Sequence, residues 1–166
     1  MYSHKRVLVA LDGSASSDAV LQFLMEIAGP LDMRVLLLRV LEPIPPMAVE
    51  GTRHFVVDDV EARRRESEEY LAPIAAAVRA RGVDAAWEVR LGHPAEEIVA
   101  AAGEAGADLI AMATHGRTGL GRLVFGSVAE SVLRHALVPV FLIRQPDRTA
   151  PAPKAAVPER AWWSVG

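Results

Sequence analysis

This sequence predicts an open, doubly wound α/β fold: five parallel strands in the order 3-2-1-4-5, with helices on both faces. Three observations carry the prediction. Short unbroken apolar runs recur along the chain, the mark of strands buried on both faces of a parallel sheet. Segments with helical spacing separate them, so strand and helix alternate and the crossovers are right-handed. The first and fourth runs are apolar on both faces and belong at the centre, whereas the third alternates in polarity and belongs at an edge.

The first strand is Val7-Leu8-Val9-Ala10-Leu11, stopped by the turn residues Asp12-Gly13-Ser14. Val20, Leu21, Leu24 and Ile27 then recur at helical spacing, and Gly29-Pro30 ends that helix. Arg34 to Leu41 is the second strand, closed by Pro43, Pro45 and Pro46, and residues 42–57 read as a loop. Asp58 to Arg81 is a charge-rich helix with Gly82 as its C-cap, and Pro73 within it predicts a kink or a split. Arg63-Arg64-Arg65 is followed there by Glu66, Glu68 and Glu69, the pattern of a solvated face with local ion pairs.

Val83 to Leu91 alternates and supplies the edge strand. Gly92-His93-Pro94 opens the next helix, with Pro94 in its first turn and Ile98, Ala101 and Ala102 facing inward. Asp108 to Ala113 is the fourth strand, Thr114 to Gly126 a glycine-rich loop, Ser127 to Ala136 a helix, and Val138 to Ile143 the last strand. Residues 1–144 therefore form one domain. From 145 to 166 Pro, Ala and charge dominate, as in a disordered tail, although Trp162 and Trp163 are able to dock on a surface.

Composition narrows the function classes. A net charge of −3 and an isoelectric point near 6.0 argue against a general nucleic-acid binder. The absence of cysteine removes disulfides, thiolate catalysis and thiolate metal sites. No apolar run approaches the ~20 residues of a membrane span, and the stretch after His4-Lys5-Arg6 is too short for a signal peptide, so a cytoplasmic protein is expected. The five histidines include no pair at metal-ligand spacing.

Ligands of open α/β sheets bind at the carboxyl ends of the strands flanking the point where strand order reverses. That point lies between the first and fourth strands. Its loops are Asp12-Gly13-Ser14 and Thr114–Gly126, the two most distinctive in the chain. Glycines allow close backbone approach, and a helix N-terminus offers unpaired N–H groups to phosphate. Arg117 and Arg122 add cationic reach. Taken alone, the loop fits phosphate binding and plain turn-making equally. Ser127 and Glu130 also read as a capping box, and Glu130 opposes phosphate at that helix end. No Gly-Lys-Ser/Thr follows, so a P-loop enzyme is disfavoured. His115 has the titration range of a general base, yet no carboxylate is placed to orient it.

Gly116, nine residues, Gly126 and Ser127, with Ala113 three residues before Gly116, resemble the nucleotide motif of the adenine-nucleotide-binding universal stress protein family. The resemblance covers roughly residues 4–144. Ala113 departs from it, standing where the family has a glycine against the ribose. The resemblance implies ATP as ligand, with Mg²⁺ or Mn²⁺ carried on its phosphates and no protein ligand named. Asp12 matches an acidic residue near the adenine or ribose, with helix capping as its alternative; Ser14 belongs to the same turn. Val40 matches the position whose backbone meets the adenine, or is plain core. Thr114 reaches a ribose hydroxyl or phosphate, and Gly116, Arg117, Gly126, Ser127 and Val128 surround the phosphates. The family's common dimer pairs the last strand, Val138 to Ile143, with its copy. This also covers an apolar sheet edge; the tail is the other candidate cover. Three functional readings follow: a homodimeric ATP-binding regulatory module with little or no turnover and no enzyme activity, a slow ATPase, or an interaction subunit that binds no nucleotide.

Overall fold

The parallel sheet runs in the order β3-β2-β1-β4-β5, as predicted. The computed structural model describes residues 6–30, 32–44, 52–114 and 126–144. Its elements are β1 (Arg6–Ala10), α1 (Ala15–Ile27), β2 (Arg34–Leu41), α2 (Thr52–Ala80), β3 (Ala85–Leu91), α3 (Pro94–Glu104), β4 (Leu109–Thr114), α4 (Ser127–His135) and β5 (Val140–Arg144). The 145–166 tail, with its two tryptophans, lies outside the described residues.

Strand alternation sends successive side chains into two separate cores. Val7, Val9 and Leu11 of the first strand and its exit, with Val35, Leu37 and Leu41 of β2, pack under α1 and α2 through Val20, Leu24, Leu71, Ala75 and Val78. Leu8, Leu38, Ile110 and Met112 pack on the opposite face under α3 and α4, against Ile98, Ala101, Ala102, Ala129 and Val132. Because β1 feeds both cores, it is buried at Val7, Leu8 and Val9 alike. This is why its apolar run is unbroken.

Two expectations need correction. Helix α2 begins at Thr52, not Asp58, and continues through Pro73 instead of splitting there. Thr52, Phe55, Val56 and Val57 are β-branched or aromatic, weak helix formers that hide a helix start behind three prolines. Nor is Arg63-Arg64-Arg65 simply a solvated face. Arg63 donates to the Glu42 carbonyl (3.1 Å) and Arg64 to the Val89 carbonyl (3.3 Å), tying α2 to the ends of β2 and β3.

The edge strand β3 keeps a polar hub on its α3 side. Arg90 bonds Glu88 (2.8 Å) and Glu104 (2.6 Å) and lies 3.7 Å from Glu97, which locks α3 to the sheet. At the other edge β5 has no outer neighbour among the described residues. Its Phe141 stacks on Phe23 of α1 at 4.8 Å, and both rings remain partly exposed.

Candidate functional site

The crevice at the carboxyl ends of β1 and β4 receives three turns from the described chain. After Ala10, β1 exits through Leu11, whose N–H still donates to the Leu38 carbonyl (2.9 Å). The chain then folds on itself at Asp12. An Asp12 carboxylate oxygen accepts the Ser14 N–H (2.9 Å) and the Ser17 hydroxyl (2.7 Å), while the Asp12 N–H donates to Ser17 Oγ (3.1 Å). Gly13 has φ +79°, a left-handed conformation that favours glycine. Asp12 is thus a turn organiser, and the N-cap of α1 is Ser14. The cap makes no side-chain bond, and the buried Ser14 Oγ has no hydrogen-bond partner among the described residues.

The fourth strand delivers Thr114. It is 5% exposed, and its Oγ1 likewise has no hydrogen-bond partner among the described residues. Leaving a buried hydroxyl unpaired costs roughly 1–3 kcal/mol, and these two stand at the exits of the adjacent strands β1 and β4.

The capping box predicted at α4 is not formed. The N-cap is Gly126, no side chain caps the helix, and Glu130 turns away to pair with Arg134 at 2.8 Å. With Gly126 as N-cap, Ser127 is the first helical residue, so the Ser-x-x-Glu spacing falls one position too late to form the box. The consequence is a first turn that no described side chain caps, with Ser127 as its first residue and Glu130 as its acidic one. Gly126 itself has φ −60°, which any residue adopts, and a β-carbon there would meet no described atom within 4 Å. Neither backbone conformation nor packing against the described residues requires glycine at this position.

Val40 is half-buried beside the α3-side core. It lies two residues beyond Leu38, the last residue of β2 in register with β1, while its pairing with Arg90 of β3 continues. Its edge toward β1 therefore faces the crevice mouth. Thr114 shares the α3/α4 side of the sheet with Met112 by alternation, and Val128 packs against that side's core. Ala113 does not. Its methyl packs into the α1-side core, next to Ile143 in register. His115, Gly116, Arg117 and Arg122 lie outside the described residues. Among those described, no cluster of three or more His, Asp or Glu side chains is placed to hold a metal. No described helix is long and apolar enough to cross a membrane.

Sequence reading missed two residues. Ser17, 1% exposed, stabilises the Asp12 turn. Its signal is hidden in a run with Ser14 and Ser16, and only geometry selects it. Arg39 is half-buried near the end of β2 and reaches Gly13. A lone cation inside the apolar run Val35–Leu41 is the signal that was available.

The fold is that of a doubly wound α/β domain. The chain belongs to the universal stress protein family, whose model matches residues 3–144. It is 33% identical to a universal stress protein of Methanocaldococcus jannaschii over 147 residues, 87% of this chain and 85% of that one. A solved universal stress protein family structure from Burkholderia pseudomallei superposes with a TM-score of 0.65 at 31% identity, covering 86% and 98% of the two chains. A universal stress protein of Archaeoglobus fulgidus, solved in complex with dAMP, superposes with a TM-score of 0.57 at 25% identity over 86% and 99%.

Proposed function

We propose that this protein is an ATP-binding regulatory module whose crevice holds an adenine nucleotide with little or no turnover. The carrying observation is Gly126: a glycine with ordinary φ, and with no described atom within 4 Å of where its β-carbon would stand, is explained by a ligand whose phosphates approach the backbone closely. The Ser14 and Thr114 hydroxyls, without a hydrogen-bond partner among the described residues, and the first turn of α4, which no described side chain caps, suit a hydroxyl-bearing, anionic ligand. The dAMP complex of the Archaeoglobus relative supports adenine as the base.

In this reading the backbone of Val40 meets the adenine, and Asp12 and Thr114 take the ribose. Ser14, Gly126, Ser127 and Val128 face the phosphates, joined by Gly116 and Arg117 on the motif's spacing. A divalent cation, Mg²⁺ or Mn²⁺, travels on the phosphates and screens their charge. The nucleotide acts by linkage, stabilising the conformation that binds it. Two chains pair through β5, where Phe23, Phe141, Leu133 and Leu137 leave apolar surface beside an open strand edge.

The test is thermal unfolding with and without millimolar Mg-ATP, with GTP as control, on the wild type and Gly126→Ala. A ligand at 100 times its dissociation constant stabilises the native state by about 2.7 kcal/mol. The expected result is an ATP-specific shift in the wild type that is lost in Gly126→Ala, whose unliganded melting temperature is unchanged. An equal shift in both proteins, or none in the wild type, overturns the reading; a phosphate-release assay on the same samples measures turnover.

A further inference from the structure

Arg39 is the group near the crevice that the nucleotide motif leaves unexplained. It stands on the α1/α2 side of the sheet, opposite Val40. A β-carbon built on Gly13 would lie 3.3 Å from its Nη1 and 3.4 Å from both Cζ and Nη2. Near-equal distances to three atoms of one plane put that β-carbon over the face of the guanidinium, which therefore faces the space a side chain at residue 13 would fill. Its Cζ also sits 5.3 Å from the centroid of the Tyr70 ring, on α2. No hydrogen bond or ion pair joins Arg39 to another described residue, so its place is set by these contacts.

We propose that Arg39 is a positioning residue of the nucleotide site, a strut that fixes the Asp12–Gly13–Ser14 turn against α2; the proposal rests on the nucleotide reading above. The arrangement explains why the cation is an arginine in an apolar strand. A planar guanidinium can turn one face to the space that glycine leaves open and remain in reach of an aromatic ring, and a lysine ammonium has no such face to offer. Tyr70 packs with the core containing Leu71, Ala75 and Val78, so the strut is anchored in the body of α2. By reciprocity, a ligand that holds the turn also steadies α2 around Tyr70, beside exposed Glu66 and Glu69. The nucleotide state would then be legible on the outer face of α2.

The test uses the full chain, with amide hydrogen exchange and calorimetric titration with AMP on the wild type, Arg39→Met, Arg39→Lys and Tyr70→Phe. The expected result is faster exchange of the 12–17 amides without ligand and about tenfold weaker AMP binding in both Arg39 variants. Tyr70→Phe, which keeps the ring, should behave as wild type. AMP should protect the α2 amides near Tyr70 in the wild type but not in Arg39→Met. Unaltered exchange and affinity in Arg39→Met overturn the proposal, as does full rescue by Arg39→Lys. A wild type that binds neither AMP nor ATP overturns the nucleotide reading and the ligand role with it, while the exchange of the unliganded turn still decides whether Arg39 holds it.

Discussion

Replacing Thr114 by valine should raise stability and lower affinity together. The Thr114 hydroxyl is buried at the end of β4 with no hydrogen-bond partner among the described residues, and the residue is 5% exposed. Removing an unpaired buried hydroxyl recovers part of a penalty of roughly 1–3 kcal/mol, and about 1 kcal/mol is a fair figure at a strand end. For a domain of this size that raises the melting temperature by about 2–4 °C. If the hydroxyl bonds the nucleotide, the same change removes a hydrogen bond of about 1–1.5 kcal/mol and weakens binding roughly tenfold. Calorimetric melts of the unliganded protein measure the first quantity and titration with ATP the second. A purely structural threonine predicts loss of stability with affinity unchanged, because Thr→Val at a paired hydroxyl is destabilising. That result would refute both halves of the argument.

Glu104 is held below its ordinary pKa by the hydrogen bond from Arg90 and by that residue's charge. A depressed carboxylate stabilises the fold above its unfolded pKa and loses that contribution as pH falls through the folded one. Denaturation curves should therefore separate wild type from Glu104→Gln at pH 7, draw together as pH falls below the ordinary glutamate range, merge only once the lowered folded pKa is passed, and converge at pH 7 in high salt. Phe141→Glu should convert dimer to monomer in analytical ultracentrifugation, since the ring lies on the open edge beside Phe23; a monomeric wild type would refute the edge pairing. Ala113→Gly should change nucleotide affinity less than threefold while costing about 0.5–1 kcal/mol in chemical denaturation, because the methyl packs in the α1-side core.

The sheet was readable because its signals are local and repeated. Arg34–Leu41 and the apolar run after Arg6 stand out against turns rich in Gly, Pro and Asp, and the alternation of β3 places it at an edge. The start of α2 was not readable, because β-branched residues after prolines resemble a loop and tertiary packing overrides propensity. At the candidate site, spacing singled out Gly126 and Ser127, which stand at the start of α4, and the capping box is not formed. A Ser-x-x-Glu pattern cannot say whether its serine will be the N-cap or, as here, the first helical residue. Ser17 and Arg39 were hidden for a related reason, since each acts through a neighbour that is distant in sequence or one among several equal candidates.

The period-two geometry of the strands explains how one crevice is built from residues so different in exposure. Val40 and Thr114 lie on the α3/α4 side of the sheet, where the N-terminus of α4 arrives, and their neighbours Arg39 and Ala113 necessarily lie on the other. On the side proposed for the ligand, the Thr114 hydroxyl has no hydrogen-bond partner among the described residues, while Ala113 on the opposite side is packed in the core. Arg39 against Gly13 and Ala113 beside Ile143 support the same two strand ends from behind. A substitution behind the strands acts through the backbone that carries the site, and one in front acts on the ligand directly. The two kinds should therefore separate experimentally: Arg39 variants speed exchange of the unliganded Asp12 turn as well as weakening binding, whereas Thr114→Val weakens binding and leaves that exchange unchanged.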